Sequence, residues 1–381
     1  MRSITLLHPP RLVFGIDSIN QFRDDLSNSS YRNLLIFTVP KLLPAIDDLV
    51  RSLKKEGIKA TIDSSIQSEP TIKMFYASLE NAKLAGCDSV AGIGGGSVLD
   101  IAKLVAAQIH NSQSINEIVG IGNLKSRKTY LACLPTTSGT GSEVSPNAIL
   151  LDEIDLQKKG VISPFLVPDA VYVDPKLSVS VPPSVTAATG MDALTHCIEA
   201  YTNKFAQPII DVYALEGIRL ISKNLVRAFN DGNDLEARES LSLGSMFGGF
   251  CLGPVNTAGV HALSYPLGGE FHVAHGLANA LVLPHVIEFN IAEGPERFSD
   301  VAIALGIPPK GSSLENAYAG VQKIRDLCRQ CNIPSKLSEI GIPKEAIDRL
   351  VESAMNVTRL LRNNIKEIKA DDAKRIYLNA F

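Results

Sequence analysis

The sequence predicts an α/β domain built on a parallel sheet, followed by a helical domain. Three observations carry that expectation. As far as Pro175, short β-branched apolar runs alternate with helical patterns, the rhythm of a parallel sheet covered by helices on both faces. A glycine run, "GIGGGSVLDIAK" (92–103), ends one strand and opens a helix. Beyond about residue 180 strand-like runs nearly vanish, and helical periodicity persists to the C-terminus. At 381 residues the chain is too long for one ordinary core. The change of character at 178–185 divides it into domains 1–180 and 181–381.

Taken in order, "NLLIFTV" (33–39) reads as a buried strand and "AIDDLVRSLKKEG" as an amphipathic helix ending at Gly57. "IKATID" is a second strand and "TIKMFYASLENAKLAG" a second helix; "DSVAGIG" runs as a third strand into the glycine turn. "YLACLPT" (130–136), "NAILLD" (147–152) and "AVYVDP" (170–175) complete the strand pattern. "VPPSVTAATGMDALTHCIEAYT" then opens the helical region.

Composition bounds the function. With 45% hydrophobic and 20% charged residues the chain has the make-up of a globular enzyme. A net charge of −3 argues against nucleic acid or an acidic membrane surface as partner. No run approaches the roughly eighteen apolar residues of a membrane span. The start, "MRSITLLHPPRLVFG", lacks the apolar core and cleavage site of a signal peptide. Six scattered cysteines with mostly apolar neighbours read as reduced core thiols, so the expected location is the cytoplasm. Cys328 and Cys331 form a C-x-x-C, but no second pair completes a zinc site and the motif ends a helical run.

The glycine turn is suited to an anion. Gly94, Gly95 and Gly96 lack a Cβ, so the backbone can approach a phosphate, and the first N–H groups of the helix point at it. Ser97 adds a hydroxyl donor, and Asp100 suits the positive end of the helix. A tight turn with no ligand would use the same glycines, and the run matches neither G-x-G-x-x-G nor the P-loop. "LPTTSGTGSEVS" (134–145) places a second polar loop after a strand, at the sheet edge where ligands sit in open α/β folds. Thr136, Thr137, Ser138 and Thr140 there can bond ribose or phosphate oxygens, and two such loops together favour a dinucleotide.

The helical domain offers metal ligands. In "TGMDALTHCIEAY" (189–201), Asp192 and His196 are i and i+4, hence on one helix face, where they make either a metal pair or an Asp–His hydrogen bond. "HALSYPLGGEFHVAHG" (261–276) holds three of the seven histidines. With His261 and His275 the set becomes one carboxylate and three imidazoles, suited to Fe²⁺ or Zn²⁺. His272 and His275, at i+3, are both candidates, and spacing does not choose between them.

These motifs together resemble the iron-containing (group III) alcohol dehydrogenases, of the dehydroquinate synthase-like fold. The likeness runs over nearly the whole chain, through "RLVFGIDSI", "GGGSVLDIAK", "PTTSGTGSEVSPNA", "PDAVYVDP", "TGMDALTHCIEAY" and "HALSYPLGGEFHVAHGLANALVLPHVIEFN" to "NIKEIKADDAKRIYLNAF". The resemblance implies a Rossmann-like nucleotide-binding domain and a catalytic helical domain. It assigns the metal, Fe²⁺ or another divalent ion such as Zn²⁺, to Asp192, His196, His261 and His275. It places the pyrophosphate of NAD or NADP on Gly94, Gly95, Gly96 and Ser97, with Thr136, Thr137 and Thr140 around ribose and nicotinamide. Asn147 falls near substrate and nicotinamide. The implied reaction is reversible hydride transfer between the nicotinamide and a small alcohol or aldehyde, with the metal as Lewis acid. Family members are commonly dimers or larger.

Two positions depart from the family pattern. Many members carry a second histidine, a candidate proton relay, where this chain has Tyr265. A phenol is a poorer relay than an imidazole at neutral pH, which leaves His272 or a water chain for that role. Members preferring NAD often have an aspartate at the position of Val39, whose charge repels the extra phosphate of NADP; valine removes that repulsion. Two alternatives remain at this level. One is a lyase of the same fold using NAD transiently, disfavoured by hydroxyl-rich and apolar site motifs such as "MFGGFCLGPVN" (246–256). The other is a non-catalytic metal- or nucleotide-binding protein, disfavoured by four intact ligand positions.

Overall fold

The computed structural model describes residues 2–154 and 157–381. The chain forms two compact units. One comprises Leu6–Thr137 and Gly141–Ser180. The other is Val181–Phe381, joined by the N-terminal residues through Thr5 and by Ser138–Thr140. The short Ser138–Thr140 segment therefore belongs to the helical unit although it lies inside the hydroxyl loop.

The α/β unit runs β1 (Arg11–Phe14), α1 (Ser18–Ser27), β2 (Asn33–Phe37), α2 (Leu43–Lys55), β3 (Lys59–Asp63), α3 (Ile72–Ala85), β4 (Ser89–Gly94) and α4 (Gly96–Gln108). There follow α5 (Ile115–Ile118), β5 (Gly120–Ile121), β6 (Tyr130–Pro135), β7 (Asn147–Leu151), β8 (Lys158–Ile162) and β9 (Ala170–Val173). Six strands make one parallel sheet in the order β1-β9-β6-β4-β2-β3. Its central strands bury nearly every side chain, as parallel strands covered on both faces must. Ile46, Leu49 and Leu53 of α2 pack with Phe22 and Leu26 of α1 onto Leu34, Ile36, Ile93 and Tyr172. Thr71 starts α3 by accepting from the Met74 N–H, and Gly86 ends it in the left-handed conformation at φ +61°.

The segment 147–152, expected as a further strand of the parallel sheet, lies elsewhere. β7 pairs antiparallel with β8 in a separate three-stranded sheet, β5-β8-β7. Helix α4 is the cause: it touches β4 and β6 on one side and β7 on another, and its Asp100 takes the Ile149 N–H. Every residue from Ile101 to Gln108 is accordingly buried.

The helical unit comprises α6 (Pro183–Tyr201), α7 (Pro208–Asn230), α8 (Leu235–Leu252), α9 (Gly259–Phe271), α10 (His275–Asn290), α11 (Pro295–Ala304) and α12 (Ser313–Gln330). It closes with α13 (Ile347–Met355), α14 (Thr358–Leu361) and α15 (Ala370–Asn379). α6 is the hub, packed by α7, α8 and α10 and buried continuously from Gly190 to Tyr201. Among the described residues no helix is long and apolar enough to cross a membrane.

Candidate metal centre and nucleotide cradle

Three helices bring three imidazoles around one carboxylate. Asp192 and His196 lie one turn apart on α6, His261 is the third residue of α9, and His275 opens α10. The Oδ1 of Asp192 lies 3.7 Å from His196 Nε2, 3.6 Å from His261 Nε2 and 3.5 Å from His275 Nε2. A four-coordinate ion with bonds of about 2.1 Å has ligand–ligand edges of about 3.4 Å, close to the three separations from Asp192 Oδ1. Asp192, His261 and His275 also come mutually close, while His196 approaches through Asp192 with its ring stacked on His261 at 4.8 Å.

Charge and burial shape these groups. Burial alone would push the Asp192 carboxyl up, but the imidazoles of His196, His275 and His261 outweigh it and hold the carboxyl far below its usual range. Burial pushes His196 down, with Asp192 opposing. At His261 burial also acts downward, yet Glu199 and Asp192 overcome it and the imidazole is pushed up to about 9.

Two supporting residues went unread in the sequence. Glu199 is buried on α6; its Oε2 accepts from His261 Nδ1 at 2.5 Å and its Oε1 from the Val260 N–H at 2.6 Å. A carboxylate only accepts, so Nδ1 carries the proton and Nε2 is left facing Asp192. Asn279 follows His275 by one turn and is wholly buried. Its Nδ2 donates to Asp192 Oδ1 at 2.7 Å and lies 3.1 Å from His261 Nε2 and 3.4 Å from His275 Nε2. The signal for Glu199 was present: Asp192, His196 and Glu199 stand at i, i+4 and i+7, one face of a helix.

Spacing left His272 and His275 open, and the backbone separates them. His272 caps the end of α9 in the left-handed conformation (φ +55°) with its side chain exposed, whereas His275 starts the next helix. His272 is thus exposed at a helix end and stands outside the Asp192/His261/His275 group. Tyr265 comes one turn after His261, and its ring lies 5.7 Å from that of His275 and 6.4 Å from that of His261. The aromatic residues Phe247 and Phe250 of α8 pack on Tyr213 of α7.

The cradle lies in the α/β unit, where β2, β4 and β6 run side by side. Their carboxyl ends carry Val39, the glycine run and the hydroxyl loop. Gly94 ends β4, and a Cβ there would meet the Val98 side chain at 2.6 Å. Gly95 caps α4, with Gly96 and Ser97 its first residues. The Thr136 N–H bonds Gly94 O at 3.0 Å, and Thr137 lies over Gly95, which joins the two loops into one surface. Val39 is half-buried and Lys41 exposed. Two readings change. Ser138 bonds Ser242 of α8 at 3.1 Å, within the helical unit. Asp100 lies in the second turn of α4, not the first; its oxygens accept from Ser142 Oγ at 2.5 Å and Ile149 N–H at 2.9 Å. Both side chains are thus drawn into the protein's own hydrogen bonding.

A glycine–hydroxyl turn on a parallel sheet and a carboxylate–imidazole cluster able to hold a metal among helices are features of one class, the metal-dependent dinucleotide oxidoreductases. Comparison with known proteins narrows it. Residues 9–175 match the model of the iron-containing alcohol dehydrogenases, and 186–381 that of the C-terminal part of the Fe-containing alcohol dehydrogenase family. The long-chain-alcohol dehydrogenase 1 of Geobacillus thermodenitrificans is 35% identical, over 99% of this chain and 96% of that protein. The crystal structure of a 1,3-propanediol oxidoreductase superposes with a TM-score of 0.95 at 30% identity, over all of both chains. That of sulfoacetaldehyde reductase from Bifidobacterium kashiwanohense, in complex with NAD⁺, does so at 0.89 and 27%, over 100% of this chain and 99% of that one. The chain belongs to the iron-containing alcohol dehydrogenase family. It is an oxidoreductase acting on CH–OH groups, an NAD-linked alcohol dehydrogenase or aldehyde reductase, and the family's cofactors are Fe²⁺ and NAD(H).

Proposed function

We propose that this enzyme interconverts a small alcohol and its aldehyde, with Asp192, His196, His261 and His275 holding Fe²⁺. The observation carrying this reading is the convergence of three Nε2 atoms within 3.7 Å of one buried carboxylate oxygen. When bound, the ion supplies Lewis acidity to the substrate oxygen. The chain's own groups do the rest. Glu199 fixes the His261 ring, and Asn279 orients Asp192. Gly94, Gly95, Gly96 and Ser97 take the pyrophosphate on the first N–H groups of α4, with Thr136, Thr137 and Thr140 at the ribose and nicotinamide. Tyr265, beside two ligands, presents the hydroxyl that orients the substrate oxygen. Asn147 falls where the family approaches the nicotinamide.

Val39 carries no charge at the end of β2, so NADPH is accepted alongside NADH. A cytoplasmic setting fits the six buried free thiols, and a homodimer or larger assembly follows the family habit. Oxidation of NADH and NADPH against a panel of short aldehydes tests the reading. Turnover with both cofactors is expected, shifting at least tenfold toward NADH in Val39→Asp. Metal-loaded enzyme that binds nucleotide yet reduces none of the panel would overturn it.

A further inference from the structure

Lys103 is a buried cation that the proposed chemistry does not use. It lies on α4, the helix whose first residues form the anion cradle, and is 0% exposed. Its Nζ donates to the carbonyl oxygens of Ser142 and Ser145, each at 2.8 Å, and to that of Asn147; Ser142 Oγ lies 3.2 Å away. An ammonium has three N–H bonds, and three carbonyls take them. One turn earlier Asp100 accepts from Ser142 Oγ and the Ile149 N–H. The segment from Ser142 to Ile149 is thereby fastened along its length to one face of the nucleotide helix.

Stability alone gives little reason for this arrangement. Burying an ammonium is costly even when it is fully hydrogen-bonded, and an apolar residue would suit a helix flanked by Ile101, Ala102, Leu104 and Val105. Burial does push the Lys103 ammonium down, with Asp100 opposing. The arrangement yields shape instead, since three carbonyls converging on one point form a tight turn that only a cation closes. The turn ends at Asn147, whose Oδ1 is buried and meets no donor among the described residues. It begins at the loop bearing Thr136, Thr137 and Thr140.

We infer that Lys103 is a positioning residue for the dinucleotide: it holds the Ser142–Asn147 turn so that the Thr136 and Thr137 hydroxyls and Asn147 Oδ1 are set before the nucleotide arrives. This rests on the nucleotide site proposed above. Preorganisation of this kind appears as affinity, because a loop already in place is not ordered on binding.

The test is NADH titration, by fluorescence, of the full-length metal-loaded enzyme and its Lys103→Met variant. Expected are a rise in Kd of tenfold or more and a parallel rise in KM for NADH. At saturating NADH kcat should stay within about threefold, and metal affinity should be unchanged. A residue serving stability alone would lower Tm and leave Kd in place well below Tm, which would overturn the inference. Should Lys103→Met fail to fold, Ser142→Ala removes only the hydroxyl shared by Asp100 and Lys103. It should raise Kd two- to fivefold, and an unchanged Kd there would be equally fatal. Wild-type enzyme that binds neither NADH nor NADPH would instead refute the nucleotide site itself.

Discussion

Replacing Gly276 with alanine should cost this enzyme its metal more than its fold. Gly276 directly follows His275 at the start of α10, where that helix meets α6. A Cβ at this position would lie 2.0 Å from Ala188 O, 2.6 Å from Ala188 C and 3.2 Å from Asp192 Cβ. Two of these three atoms are backbone, so no rotamer change relieves the clash. An ordinary Cβ···O contact is a little over 3 Å, so α10 must retreat from α6 by about 1 Å. Asp192 and His196 stay with α6 while His275 leaves with α10. Coordination tolerates displacements of only about 0.2 Å, so His275 is lost as a ligand. Metal affinity should fall at least about 100-fold, or about 2.7 kcal/mol. The fold should lose about 1–3 kcal/mol, the usual penalty of overpacking. Chelator competition with Co²⁺ or Zn²⁺ measures the first, and denaturant unfolding of metal-free protein the second. Gly320→Ala is the control: its Cβ would crowd Ala302 at 2.8 Å between α11 and α12, costing stability without touching a ligand. Gly276→Ala binding metal within threefold of wild type would refute the reasoning.

Glu199→Gln keeps an acceptor for His261 Nδ1 but removes the charge, and should weaken metal binding about 10- to 100-fold by the same competition assay. Gly94→Ala, driven into Val98 at 2.6 Å, should abolish NADH binding by fluorescence while leaving metal affinity intact. The metal-free protein should also show a pH signature. The folded-state pKa of His261, about 9, lies above the unfolded value near 6.5. Its stabilisation is therefore complete below pH 6.5 and lost as pH rises toward 9. The Tm of metal-free protein should fall across that window, and the fall should disappear in His261→Ala; a flat profile in wild type would contradict the Glu199–His261–Asp192 pairing.

The sequence showed most clearly what is local. The glycine cradle and the Asp192/His196 pair are each set within one or two turns of chain, so spacing reveals them. The choice between His272 and His275 depends on where α9 stops, and the left-handed His272 that stops it carries no glycine to announce the break. β1 and β8 escaped notice because an exposed edge strand and a lysine-led strand lack a clean apolar alternation. Asn279 looks like any polar residue inside a helix, and only tertiary packing brings its amide to Asp192 and two imidazoles. Asp100 and Lys103 are a similar case: their partners lie some forty residues away in sequence.

The most direct test of the account is turnover by protein stripped of metal and reloaded with Fe²⁺, against wild-type and His261→Ala enzyme in parallel. NADH-dependent aldehyde reduction should be absent without metal, return with one ion per chain, and stay absent in His261→Ala even though NADH still binds. Reduction at the wild-type rate by metal-free enzyme, or by His261→Ala, would contradict the assignment of catalysis to this cage.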